Sequence, residues 1–175
     1  MPKVYLEFGV GNNFDLVLVD KSLRGYYTIT IDKKKSPILN QYEHYIDEYI
    51  VGDWNDEHDI QLADEWSCIS CFEHIEPEMV DESIQGIIQK VKKDSIGYVH
   101  IDLSDHHGGF KHYEDMSKFI EETEYAGIKN VFSHKKWLTI FEKYFILNKD
   151  DVSIEYFDGN DLHPKSIGMY NLKVK

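Results

Sequence analysis

No stretch of this sequence approaches the ~20 consecutive apolar residues that a helical membrane span needs. Positive charge is also short. Lys and Arg number 19 against 32 Asp and Glu, a formal net charge of −13. A surface of that sign repels phosphate backbones and anionic membranes, so neither nucleic acid nor a membrane is expected as a partner. Cysteine is nearly missing: Cys68 and Cys71 are the only two. Their Cys-x-x-Cys spacing raises redox and zinc chemistry. A redox pair, however, sits at a helix N-terminus. Here Trp66-Ser67-Cys68-Ile69-Ser70-Cys71-Phe72 reads as a strand, in which residues three apart face opposite ways. Two small buried residues in a reducing, cytoplasmic setting are the simpler reading. Repeats, linkers and low-complexity tracts are absent too, and Met1-Pro2-Lys3-Val4-Tyr5 carries no secretory pattern.

What is present suits one packed domain. The 175 residues are 42% hydrophobic and 14% aromatic, enough for a single sizeable core, so residues 1–175 are read as one domain. Strand and helix signals alternate. Val4–Phe8 reads as a strand, Phe14–Leu23 as a helix stopped by Gly25, and Tyr26–Ile31 as a second strand. Tyr49–Val51 and Glu65–Phe72 follow as strands three and four. Pro77 precedes an amphipathic helix with Val80, Ile84, Ile87, Ile88 and Val91 on one face. Ile96–Leu103 is strand five, and Tyr113–Ala126 and Trp137–Leu147 are helices. Val152–Phe157 and Ile167–Val174 close the chain as two strands around Asp158-Gly159-Asn160-Asp161. The pattern predicts an α/β fold: a Rossmann-like, mostly parallel seven-stranded sheet with helices on both faces and an antiparallel C-terminal strand pair.

Ligands of such sheets bind at the carboxyl ends of the strands. Strand one ends in Glu7-Phe8-Gly9-Val10-Gly11, whose glycines let the backbone turn tightly and approach a ligand. Strand two ends in Asp32, 25 residues after Glu7, where a carboxylate suits two ribose hydroxyls. Strand three ends in Gly52-Asp53-Trp54, strand four in Glu73-His74, and strand five in Asp102-Leu103-Ser104-Asp105-His106-His107-Gly108-Gly109. A dinucleotide fingerprint wants a third glycine, but Phe14 stands there. Glu7 would also sit badly beside a diphosphate. S-Adenosylmethionine carries a sulfonium and an amino group, which a carboxylate tolerates.

The order Leu6-Glu7-Phe8-Gly9-Val10-Gly11, Asp32, Gly52-Asp53-Trp54, Cys71-Phe72-Glu73-His74-Ile75 resembles the class I S-adenosylmethionine-dependent methyltransferases over nearly the whole chain. The resemblance implies that Glu7, Gly9 and Gly11 wrap the methionine part of S-adenosylmethionine. It implies that Asp32 holds the ribose with Lys33 next to the adenine. Asp53 would reach the adenine amino group with Trp54 beside the ring, and Cys71 would approach the methionine end. Glu73-His74-Ile75 is similar to the Glu-His-Ile found after strand four in members acting on small molecules. Two departures stand out. Asn12-Asn13-Phe14 replaces the usual third small residue, and no helices precede strand one. An open site, a lid from the Asp105–Tyr113 loop, or a homodimer completing the pocket would each answer the missing cover.

Methyl transfer to a hydroxyl needs alignment and a base, and histidine titrates near neutrality. His106 and His107, in the glycine-bearing loop after strand five, and His74 after strand four are the catalytic candidates. His100 reads as a core or edge residue, and His112, His134 and His163 as surface residues. Asp102, Asp105, His106 and His107 are metal-ligand types, but their spacing is not diagnostic and no metal is assigned. The stripe Trp137, Phe141, Tyr144, Phe145 reads as core. The expected activity is methyl transfer to a small polar acceptor, such as a sugar or metabolite hydroxyl. The alternatives are a non-catalytic S-adenosylmethionine-binding module and an NAD-dependent oxidoreductase.

Overall fold

In the computed structural model, β1 (Val4–Phe8) runs parallel to β2 (Tyr27–Asp32) on one side and to β4 (Ala63–Ile69) on the other. β3 (Glu48–Val51) extends the sheet beyond β2, and β5 (Val91–Asp102) extends it beyond β4. β8 (Lys165–Val174) is antiparallel to β5, and its outer edge carries both β7 (Val152–Phe157) and the two-residue β6 (Phe145–Ile146). Among the described residues the sheet thus has 8 strands, in the order β3-β2-β1-β4-β5-β8-β6, with β7 beside β8. The α-helices among the described residues are α1 (Leu16–Leu23), α2 (Leu39–Tyr42), α3 (Val80–Ile88) and α4 (His134–Tyr144). The structure describes residues 1–10, 16–37, 39–103, 129–130, 132–148, 150, 152–157 and 165–175. The expected helix Tyr113–Ala126 and the Asp158–Asp161 loop lie outside them.

The two faces of the sheet differ in chemistry. One presents Leu6, Phe8, Ile29, Ile31, Trp66, Val99, Ile101, Tyr170 and Leu172, all buried in one core with Ile84 and Ile87 of α3 and Trp137 and Phe141 of α4. Close packing is visible at Gly97, where an added Cβ would lie 2.0 Å from the Trp66 ring. The other face is polar. Tyr5, Glu7, Thr28, Thr30 and Ser67 are buried on it, and the Tyr5 hydroxyl donates to Ser67 Oγ at 2.6 Å. α1 covers part of this face: Leu18 is buried, and Lys21 pairs with Glu65.

Three expected elements are corrected. The helix expected over Trp137–Leu147 is α4, which ends at Tyr144; Phe145 turns extended and pairs with Val174 as the extra strand. Strand five begins at Val91 rather than Ile96, because Val91 pairs with Ala63 across an irregularity. Strand four stops at Ile69, not Phe72. His134 is corrected as well. It is half-buried, with Nδ1 2.9 Å from the Tyr170 hydroxyl and its ring stacked on Tyr170. Burial lowers its pKa below the ordinary 6.5. The unfolded chain therefore takes up that proton first as pH falls, so stability present above the unfolded pKa is lost on acidification. His134→Gln is expected to flatten the pH dependence of urea unfolding between about pH 7 and pH 5. An unchanged slope would reject this residue as its source.

Candidate functional site

Strand order reverses between β1 and β4, which is where an open α/β sheet forms its ligand crevice. Glu7 sits there, 2% exposed, in register with Thr30 of β2 and Ser67 of β4. The Thr30 hydroxyl is buried and has no hydrogen-bond partner among the described residues. Beyond Phe8 the chain turns at Gly9, whose φ is +71° and whose amide donates to the Ile31 carbonyl at 2.8 Å. A Cβ at Gly9 would stand 2.4 Å from Cys71 Sγ. The sulfur lies 3.0 Å from the Gly9 carbonyl oxygen, 3.0 Å from that of Ile69 and 3.4 Å from that of Phe8. Cys71 thus props the Gly9 turn from below. Gly11 lies outside the described residues.

The chain reaches Cys71 through Ser70, whose φ of +50° is left-handed, a conformation costing on the order of 1–3 kcal/mol for a non-glycine residue. Ser70 is held there by its amide, which donates to the His100 carbonyl at 2.9 Å, and by its hydroxyl, 3.0 Å from His100 Nδ1. This bend corrects the expectation that Cys68 and Cys71 face opposite ways from one strand: β4 ends at Ile69, and Cys71 lies beyond the bend with its sulfur against the Gly9 carbonyl. Both cysteines are buried and free. The neighbouring Cys68 thiol, burial, and the charges of Glu73 and Glu7 push the Cys71 pKa well above its ordinary value, so Cys71 stays a thiol.

On the β2 side, the Asp32 carboxylate accepts the Lys34 amide at 3.0 Å. Tyr49 braces this loop, accepting from the Ser36 amide at 2.9 Å and donating to the Lys34 carbonyl at 3.1 Å. Lys33 and Asp53, named separately from the sequence, meet in an ion pair of 2.8 Å. Burial acts to raise the Asp53 pKa, but Lys33 and the Asn55 amide outweigh it and hold the carboxyl below its usual value. Trp54 is 7% exposed and packs edge-on against Phe8, in the core under the Gly9 turn.

At the β4 end, Glu73 is 1% exposed, and its carboxylate accepts the Asp102 amide at 3.3 Å. Asn130 clamps the same turn, donating to the carbonyls of Phe72 at 2.6 Å and Ile75 at 2.7 Å. His74 is exposed. His106 and His107 lie outside the described residues. Among the described residues no group of three or more His, Cys, Asp or Glu stands close enough to hold a metal. The sequence reading passed over Ser70, Tyr49, Asn130 and Thr30. Only Thr30 left a signal, as a polar residue alternating with Ile29 and Ile31.

The donor set can be tested against a cofactor. Two buried carboxylates stand close in the chain to this contact, Glu7 two residues before Gly9 and Glu73 two residues after Cys71, and Asp32 closes the next strand. Acceptors so arranged fit an ammonium, a sulfonium and a ribose diol, and oppose a diphosphate.

This architecture recurs in solved methyltransferase structures. The chain superposes on a candidate methyltransferase from Bacillus halodurans C-125 with a TM-score of 0.69 at 11% identity, covering 99% of this chain and 94% of that one. It matches Burkholderia thailandensis 1,6-didemethyltoxoflavin-N1-methyltransferase, solved with 1,6-didemethyltoxoflavin and S-adenosylhomocysteine, at TM-score 0.68 and 12% identity, over 99% of this chain and 72% of that one. N-methyltransferase NodS from Bradyrhizobium japonicum WM9, in complex with S-adenosylhomocysteine, gives TM-score 0.62 at 8% identity, over 98% and 78% of the two chains. The fold is therefore that of the class I S-adenosylmethionine-dependent methyltransferases, and at these identities the likeness concerns the fold. No family model matches the chain, and no curated protein sequence does.

Proposed function

We propose that this protein is a methyltransferase that uses S-adenosylmethionine and acts on a small polar acceptor. The observation that carries the reading is the Gly9 turn propped by Cys71, with two buried carboxylates close by in the chain. S-Adenosylmethionine supplies a methyl group on a sulfonium that is already a good leaving group. The chain's part is to bind, align and exclude water. Glu7, the Gly9 turn and Gly11 hold the methionine end with Cys71 beneath, Asp32 takes the ribose diol, and the Lys33–Asp53 pair borders the adenine, while Trp54, expected beside the ring, packs in the core on Phe8 instead. A base is needed for a hydroxyl acceptor, and His106 or His107, following β5, is proposed for it. His74 is the third candidate; its exposure favours the loop pair over it. The two N-methyltransferases among the structural neighbours put amines beside sugar and metabolite hydroxyls as acceptors to assay. A second copy of the chain is proposed to cover the pocket, read out as a change of size in solution on adding ligand.

Calorimetry with S-adenosylhomocysteine tests the cofactor. Binding is expected, and no heat at millimolar ligand would end the proposal. Asp32→Ala removes a charged acceptor of two hydroxyls, worth about 1.5–3 kcal/mol, and is expected to weaken binding at least about tenfold. Unchanged affinity would take the ribose from Asp32. Competition by NADH would point to the oxidoreductase instead.

A further inference from the structure

Lys90 is 4% exposed, a rare placement for a lysine, because a buried ammonium gives up its water. A lysine just past a helix end ordinarily covers the last carbonyls of that helix. Here the Lys90 amide does that, donating to the Ile87 carbonyl at 2.9 Å, and the side chain crosses to the loop after β3. Its ammonium donates to the Asp56 carbonyl at 2.7 Å. A neutral carbonyl offsets only part of the cost of burying a cation, so a functional constraint is expected here. The loop it grips is a tight turn. The Asp53 carbonyl accepts the Asp56 amide at 3.0 Å and lies 2.7 Å from His58 Nε2, and the Asp53 carboxylate accepts the Asn55 amide at 2.9 Å. α3 meets the same turn at Gly86, four positions before Lys90. A Cβ there would lie 3.1 Å from the Trp54 carbonyl oxygen and 3.2 Å from Asn55 Cα, and backbone atoms cannot rotate away as a side chain does. Gly86 and Lys90 therefore fix the backbone from Trp54 to Asp56, directly behind Asp53.

Two cations serve the Asp53 carboxylate, and they differ. Lys33 stands 2.8 Å from it, but its side chain is 67% exposed and is free to turn towards a ligand. Lys90 is buried and has no such freedom. Burial acts to raise the Asp53 pKa; Lys33, the Asn55 amide and the charge of Lys90 act against it. We infer that Lys90 is a positioning residue for cofactor selection: with Gly86 it fixes the Asp53 turn, and so makes the site choose a purine with an amino group at C6 over one with an oxygen there. The inference rests on the reading that Asp53 borders the adenine. A carboxylate is an acceptor, so an amino N–H satisfies it, whereas an oxygen at C6 faces it with two acceptors and no proton. The 6-oxo purine carries an N–H on the adjacent ring nitrogen. A turn free to shift brings Asp53 to that N–H and loses the distinction; a fixed turn keeps it.

The test compares S-adenosylhomocysteine with S-inosylhomocysteine, whose C6 bears oxygen, by calorimetry on the full chain. The unaltered chain should prefer the first by about tenfold or more. Lys90→Met keeps the apolar stem and removes the ammonium, and the preference should fall at least about threefold. Gly86→Ala displaces the turn without touching a charge and should lower the preference too, which serves if Lys90→Met does not fold. Ile84→Val loosens α3 on its core side; it should lower Tm and leave the preference unchanged. A second readout needs no ligand. The Asp53 carboxyl carbon, assigned by its loss in Asp53→Asn, is followed by NMR, and its titration midpoint should rise in Lys90→Met. The inference is overturned if the unaltered chain binds both ligands alike, if the Asp53 midpoint stays in place in Lys90→Met, if the preference survives both Lys90→Met and Gly86→Ala, or if Ile84→Val lowers it equally. Failure of S-adenosylhomocysteine to bind the unaltered chain is a separate result. It ends the methyl-transfer reading and, with it, the selecting role of Lys90, whatever the Asp53 midpoint does.

Discussion

Gly9→Ala is expected to cost about 2–5 kcal/mol of stability and to abolish measurable binding of S-adenosylhomocysteine. Two independent penalties add. Gly9 has φ +71°, where an L side chain costs about 1–2 kcal/mol. Its added Cβ would also meet Cys71 Sγ at 2.4 Å and the Trp54 ring at 3.3 Å, and overpacking of this kind costs typically about 1–3 kcal/mol. Cys71 cannot swing away cheaply, because its sulfur is fixed against three carbonyls and Ser70 anchors the chain just before it. The turn must move instead, and with it the backbone proposed to meet the cofactor. Urea unfolding measures the loss. In a Cys71→Ala background the sulfur is gone, so the steric part should be recovered while the conformational part remains. An equal cost in both backgrounds would show that the contact with Cys71 is not the cause.

Gly9 also shows what the sequence could reveal. A glycine after a short apolar strand announces a turn, and β1, β2 and the acids that end them were legible because strands signal locally. α3 was legible too, since Pro77 and the apolar spacing of Val80, Ile84 and Ile87 need no distant partner. What failed depended on residues far away. The end of β4 is set by Ser70, held by His100 30 positions later. The apolar spacing puts Val91 on the face of α3 and starts strand five only at Ile96, yet α3 ends at Ile88 and Val91 belongs to β5 because it finds Ala63. Phe145 continued the helical stripe of Trp137 and Phe141, but it leaves the helix to pair with Val174. The same limit governed the site. Each strand-end acid could be named, since closing a strand is a local property. That Lys33 pairs with Asp53, that Trp54 packs under Gly9, and that His100 reaches Ser70 all require the register between strands.

Glu7→Gln is expected to weaken S-adenosylmethionine about 10- to 100-fold while leaving the fold intact. Gln has nearly the shape of Glu, so the packing between Thr30 and Ser67 is kept and only the charge is lost. A hydrogen bond to a charged group contributes about 1.5–3 kcal/mol, which sets the range. Comparing two ligands locates the carboxylate. S-Adenosylhomocysteine has the amino group but no sulfonium. If Glu7 faces the amino group, both ligands should weaken alike. If it faces the sulfonium, S-adenosylmethionine should weaken more. Glu73→Gln gives the control, because Glu73 is equally buried and its carboxylate accepts the Asp102 amide at the far side of Cys71. It should lose less affinity than Glu7→Gln and more stability. Calorimetry measures the affinities and thermal unfolding follows the fold. Undiminished affinity for both ligands in Glu7→Gln would mean that the buried carboxylate at the switch point does not face the ligand, and the donor end would then have to be sought around Glu73.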